Sequence, residues 1–140
     1  MHAMPATLLS AAVTFLSILF VFYTGVNVAR FRAKHRIVAP AVTGNAEFDR
    51  AYRVQINTLE QFVMFLPLLW LATSYFTRLP WLPAALGLLW VTGRVLYLIG
   101  YMAAAEKRST GMILTALATV GLIVLSAVGI VQAWMALGAA

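Results

Sequence analysis

Two sets of polar side chains interrupt long apolar runs near the middle of the sequence. The first is Arg50, Arg53, Asn57, Glu60 and Gln61. At about 100° per residue these fall within a stripe about 100° wide on one helix face, and Gln55 lies nearly opposite. The second is Arg94, Tyr97, Tyr101 and Arg108, within about 60° by the same spacing. A charge at the centre of a membrane helix costs about 2.5–3.5 kcal/mol on insertion scales, so such residues need a partner or a ligand. Glu60 and Arg94 read either as a buried ion pair that fixes helix register or as parts of a site. Once they are paired, Arg53 and Arg108 remain as excess positive charge beside Asn57, Gln61, Tyr97 and Tyr101. Surplus guanidinium donors suit an anionic ligand, and phenols can donate to a thiolate or an oxyanion. Either arginine alone could instead snorkel to lipid phosphates. The alignment of both with the tyrosines favours a site.

The elements that carry these residues are membrane spans. Hydrophobic residues make up 63% of the 140 and charged residues 10%, against about 45–50% and 25% in ordinary globular domains. A small soluble body would lack the charge to wet its surface, so soluble and disordered classes fall away. Apolar runs extend over about Ala6–Val28, Tyr52–Phe76, Trp81–Ala104 and Met112–Leu137. Each is near the ~20 residues that cross a bilayer as a helix. The expected fold is an all-α integral membrane bundle of four transmembrane helices in one domain over residues 1–140. Pro80 favours a break between the second and third spans. Glu60 lies about 12 Å beyond Tyr52, and Arg94 about 15 Å before the end of the third span, so antiparallel helices would let them meet.

The net charge of +6 follows from 10 Lys and Arg against 4 Asp and Glu. These charges cluster at span ends, which indicates topology and not a nucleic-acid partner. Arg30, Arg32, Lys34, Arg36 and Arg50 follow span one, and Lys107 and Arg108 follow span three. Loops one and three are therefore expected in the cytoplasm and both termini outside. Arg30, Lys34 and Arg36 read as contacts to membrane lipid headgroups, His35 as solvated, and the polar stretch Arg30–Ala51 as a partly ordered loop. Without cysteine the chain has no thiol, disulfide or cysteine-bound metal of its own. No metal site is expected, because the four acidic residues are scattered. Haem lacks an axial ligand, because His2 and His35 lie outside the spans. A small four-span exporter would carry a carboxylate in span one, which has none; Thr14, Ser17, Thr24 and Asn27 there read as helix-packing residues. Gly121, Ala127 and Gly129 are expected to let span four approach a neighbour closely.

The stretch EFDRAYRVQINTLEQF (Glu47–Phe62), followed by GRVLYLIGY (Gly93–Tyr101), resembles the MAPEG family of membrane proteins in eicosanoid and glutathione metabolism. The resemblance covers nearly the whole chain. It implies a homotrimer that binds glutathione as co-substrate between protomers near the cytoplasmic end. By motif position it implies glutathione contacts at Arg53, Asn57, Glu60, Tyr97 and Tyr101. It sets Arg108 opposite the sulfur, and has Arg32 and Gln55 supplied by the neighbouring protomer. Gln61 and Arg94 belong to the same candidate binding set. Gln61 stands where the leukotriene synthase pattern has tyrosine, Ser109 follows the prostaglandin synthase pattern, and Tyr97 departs from the histidine of the latter. This mixture implies a bacterial or divergent member, in the inner membrane if bacterial.

A thiol of pKa near ~8.5 is mostly protonated at neutral pH, and the thiolate is the nucleophile. Arg108 stays protonated and cannot act as base, so its implied role is to stabilise the thiolate, with Tyr97 or Tyr101 as hydrogen-bond donors. Arg53 would hold a carboxylate, and Asn57 and Glu60 the amide and amino groups. The second substrate would be hydrophobic or lipid-like and enter from the bilayer. The implied reaction is transfer of glutathione to an electrophile or reduction of a lipid hydroperoxide. The competing class is a non-catalytic lipid- or glutathione-binding scaffold resembling the 5-lipoxygenase-activating protein, which lacks the arginine corresponding to Arg53.

Overall fold

The computed structural model describes residues 5–138. It consists of α1 (Ala6–Lys34), α2 (Ala46–Tyr75), α3 (Leu82–Ala103), a single 3₁₀ turn (Ala105–Arg108) and α4 (Ser109–Gly138). The four helices are long and apolar enough to cross a membrane. The chain is a multi-pass integral membrane protein.

Two helices extend beyond their apolar runs, and local capping explains where they stop. α1 continues past Val28 to Lys34, where Arg32 and Lys34 in its last turn suit the negative end of the helix dipole. It closes in a Schellman motif. Arg36 is left-handed (φ 53°), Ile37 N–H donates to the Arg32 carbonyl at 3.0 Å, and Arg36 N–H donates to that of Ala33 at 3.2 Å. α2 starts at Ala46, ahead of Tyr52. The Asn45 side chain accepts from Glu47 N–H at 2.9 Å, and Glu47 and Asp49 occupy the positive first turn. Hydropathy detects only the segment inside lipid, whereas caps set the helix ends. Half of the segment expected as a loop over Arg30–Ala51 is thus helical, with residues 35–45 outside a helix.

α1 packs on α2 and α3, while α4 packs on α2 and α3 from another side. The core is a cluster of Phe65, Leu69, Trp90, Ala118 and Leu122, all buried, with the Phe65 and Trp90 rings stacked at 4.1 Å. A smaller cluster of Val28, Phe48 and Ala51 joins α1 to α2 near the basic loop. α3 and α4 approach most closely where Gly93 faces Gly111. A Cβ on Gly93 would lie 2.8 Å from the Thr115 nitrogen, and one on Gly111 would fall on the Tyr97 backbone. Gly129 likewise meets the Tyr75–Phe76 backbone and Gly121 meets Leu86, but Ala127 is exposed and faces away from the bundle. Ser17 and Thr24 are buried on α1 with their hydroxyls bonded to their own helix, which suits the packing role expected of them.

Candidate functional site

An open-sided groove of about 470 Å³ lies between α2, α3 and the 3₁₀ turn. From α2, Arg53, Asn57 and Glu60 line it, one helical turn apart, as their spacing requires. From α3 come Tyr97 and Tyr101, also one turn apart. Arg108 closes one end from the 3₁₀ turn, and Met112 contributes from the start of α4. The groove therefore brings together six residues singled out from sequence: Arg53, Asn57, Glu60, Tyr97, Tyr101 and Arg108. Ile56 and Met112 are additions. Their apolar side chains carry no signal that separates them from the lipid-facing majority.

Arg108 reaches the groove by a route that helical spacing does not describe. α3 ends at Ala103, and Ala104 is extended (φ −161°), so Arg108 does not continue the stripe of Tyr97 and Tyr101. The turn fits tightly against α3 instead, because a Cβ on Gly100 would collide with the Lys107 carbonyl next to Arg108. The Arg108 guanidinium comes to 5.5 Å from the Tyr101 ring centre. Tyr101 stacks on Tyr97 with ring centres 5.5 Å apart and planes 18° apart. Tyr97 in turn carries Arg94 on its ring, 4.1 Å from the centroid.

Arg94 does not meet Glu60. Its guanidinium donates to Asn57 Oδ1 at 3.1 Å and to Thr58 Oγ1 at 2.8 Å. Arg94 is 1% exposed at the α2–α3 contact, whereas Glu60 is exposed on the groove side. The depths match, but the two side chains leave their helices in different directions, and the nearer acceptors take the guanidinium. Thr58 was not among the residues expected at the site. A lone hydroxyl at the position after Asn57 was its only signal. Arg94 and Gln61 line a second, smaller cavity of about 130 Å³ with Thr115 and Ala116. It shares Asn57 and Met112 with the groove.

Gln55 lies on the far side of α2, as its angle predicts. Its amide is 3.2 Å from where a Cβ on Gly25 of α1 would sit. Arg32, in the last turn of α1, is engaged by its own chain, donating to the Ala41 carbonyl of the following loop at 2.8 Å, with its guanidinium 4.8 Å from the Phe48 ring centre on α2. His35 is not simply solvated, and Lys34 is ion-paired while its side chain stays exposed. Both bond the same Glu47 carboxylate oxygen, at 2.8 and 2.7 Å. The Schellman turn brings the end of α1 back over the start of α2, which makes that carboxylate the nearest partner. His2 lies outside the described residues.

The sequence profile of the MAPEG family matches residues 10–128. The chain is 46% identical over 114 residues to an uncharacterized protein of Synechocystis sp., covering 81% of this chain and 82% of that one. It is 38% identical over 129 residues to microsomal glutathione S-transferase 2 of Homo sapiens, covering 92% and 86%. It is 38% identical over 123 residues to leukotriene C4 synthase of Cavia porcellus, covering 82% and 81%. With its four spans, its polar groove and this similarity along most of its length, the chain belongs to the MAPEG family.

Proposed function

We propose that the protein is a membrane-bound glutathione-dependent transferase or peroxidase, acting as a homotrimer with loops one and three in the cytoplasm and both termini outside. The observation that carries this reading is the groove in which Arg53, Asn57 and Glu60 face Tyr97, Tyr101 and Arg108. Glutathione presents two carboxylates, an amino group, two amides and a thiol. Arg53 suits a carboxylate, Glu60 the ammonium and Asn57 an amide. Arg108, beside two phenols, suits the sulfur as thiolate. The named relatives include a glutathione transferase and leukotriene C4 synthase, which supports a catalytic reading over a scaffold.

In the conjugation, the thiol proton leaves to solvent and the thiolate sulfur forms a bond to the electrophilic carbon. The electron pair of the broken bond departs with the leaving group, or opens an epoxide to an alkoxide that takes a proton from water. In the peroxidase reaction, one thiolate attacks the terminal peroxide oxygen, the O–O bond breaks to give a sulfenic acid, and the departing alkoxide takes a proton from water to become the alcohol. A second glutathione then displaces water from the sulfenic acid to give the disulfide. Two thiols are thereby oxidised for each hydroperoxide reduced.

The test is turnover of an activated aryl halide and of a fatty-acid hydroperoxide by purified protein in detergent with glutathione. Turnover that depends on Arg53 and Arg108 supports the reading. Retention of glutathione without turnover of either substrate would favour the scaffold.

A further inference from the structure

Arg94 is a cation buried among membrane helices, yet among the described residues no carboxylate comes within salt-bridge distance of it. Its ligands are neutral: Asn57 Oδ1, Thr58 Oγ1 and the face of the Tyr97 ring. Its field is therefore not cancelled locally, and low surrounding polarity lets it reach further than a surface charge would. Two of these three ligands, Asn57 and Tyr97, line the groove. Arg94 itself does not. The hydrogen bond it donates to Asn57 Oδ1 fixes the amide so that its NH₂ is left for other acceptors. A cation on the face of a phenol ring draws electron density inward and makes the O–H a stronger donor.

We infer that Arg94 is a positioning residue that acts on the bound thiolate through Tyr97. It holds and polarises the inner end of a column, Arg94–Tyr97–Tyr101–Arg108, with successive spacings of 4.1, 5.5 and 5.5 Å. Arg108 works on the sulfur from the groove and Arg94 from behind the phenol. This inference rests on the glutathione reading above and deepens it by adding a residue that touches no substrate.

The experiment is titration of thiolate absorbance for glutathione bound to purified protein, in wild type, Arg94→Met, Arg94→Lys, Tyr97→Phe and the Arg94→Met/Tyr97→Phe double variant. Arg94→Met keeps an unbranched, apolar stem and removes the guanidinium and its charge. Its thiolate midpoint should rise by about half a pH unit, a loss of about threefold in thiolate below the midpoint. Arg94→Lys keeps the charge without the flat stacking group and should fall between the two. In the Tyr97→Phe background the Arg94→Met shift should vanish, because the group that transmits it is gone. An unchanged midpoint in Arg94→Met overturns the inference, even if less glutathione is retained, since a merely structural role would change occupancy and not the titration. An equal shift with and without the phenol also overturns it. If Arg94→Met does not assemble, an Arg94→Lys midpoint equal to wild type is the overturning result. A wild type that holds no glutathione defeats the functional reading, whereas a wild-type thiolate that ignores Arg94 defeats only this inference.

Discussion

Replacing Arg108 with alanine should produce a defect whose size depends on pH. The guanidinium sits at the groove end beside Tyr101 and is exposed to solvent in the single chain. A cation within about 4–6 Å lowers a thiol pKa by about 1–3 units, and exposure puts Arg108 at the low end of that range. Taking Arg108's share alone as about one unit from ~8.5, with the smaller Arg94 contribution left aside, the thiolate fraction at pH 7 is about 24% with Arg108 and about 3% without it. At pH 9 the fractions are about 97% and 76%. Arg108→Ala should therefore lose about eightfold in turnover of an aryl halide at pH 7, and less than about 1.5-fold at pH 9, under saturating glutathione. The same samples should show the thiolate midpoint rising by about one unit. The assay pairs initial rates with thiolate absorbance across this pH range. A loss of the same size at every pH, or a midpoint that does not move, would refute the role given to Arg108 and leave it as a binding contact only.

The remaining predictions concern the scaffold that positions the groove. Gly111→Ala puts a methyl into the Tyr97 backbone, so it should cost at least about 1–3 kcal/mol by overpacking. It should also reduce glutathione retention, because it moves Tyr97 and the turn bearing Arg108. Thermal unfolding in detergent reads the first effect, and Gly138→Ala, with nothing within 4 Å, is the silent control. Asn45→Ala removes the cap from Glu47 N–H and should cost about 1 kcal/mol, read by the same melt. Glu47→Gln breaks the pairing with Lys34 and His35, but these side chains are 59% and 20% exposed and the carboxylate 41%. As for other solvent-exposed ion pairs, the melting midpoint should barely move, and a marked drop would mean that the cluster ties the basic loop down more firmly than its exposure implies.

Arg53, Asn57 and Glu60 were legible in the sequence because a polar residue inside an apolar run is rare, and three of them one turn apart define a face before any fold is known. Tyr97 and Tyr101 were legible for the same reason. Arg108 was found for a partly wrong reason. Its angle was counted along a helix that in fact ends at Ala103, and the 3₁₀ turn delivers it to the groove by another path. The partner of Arg94 was misread because axial depth is one coordinate and helix rotation another. Depth places Glu60 level with Arg94, but rotation gives the guanidinium to Asn57 and Thr58. Spacing alone does not fix how two helices turn toward each other, because that depends on packing such as the Gly93–Gly111 approach. The ends of α1 and α2 were short by a turn or more for a simpler reason: capping chemistry at Asn45 and Arg36 is independent of hydropathy.

The distribution of exposed side chains separates two kinds of surface on this chain. On α1, Phe15 and Phe22 are exposed, and on α4, Ile113, Leu117 and Val120 are exposed, all compatible with lipid. On the groove side, Arg53, Glu60 and Arg108 are exposed instead. Glu60 lies about 21 Å along α2 from Ala46 at ~1.5 Å per residue. Leaving such a carboxylate against acyl chains would cost about 2.5 kcal/mol or more. That face must therefore be hydrated or covered by protein, which is what a glutathione site at the seam between protomers supplies. The proposed trimer and the proposed ligand thus answer the same physical demand. A charge-removing Glu60→Gln variant should hold less glutathione while keeping the assembly at least as stable. If the variant instead falls apart while any residual trimer binds normally, Glu60 serves the subunit contact and not the tripeptide.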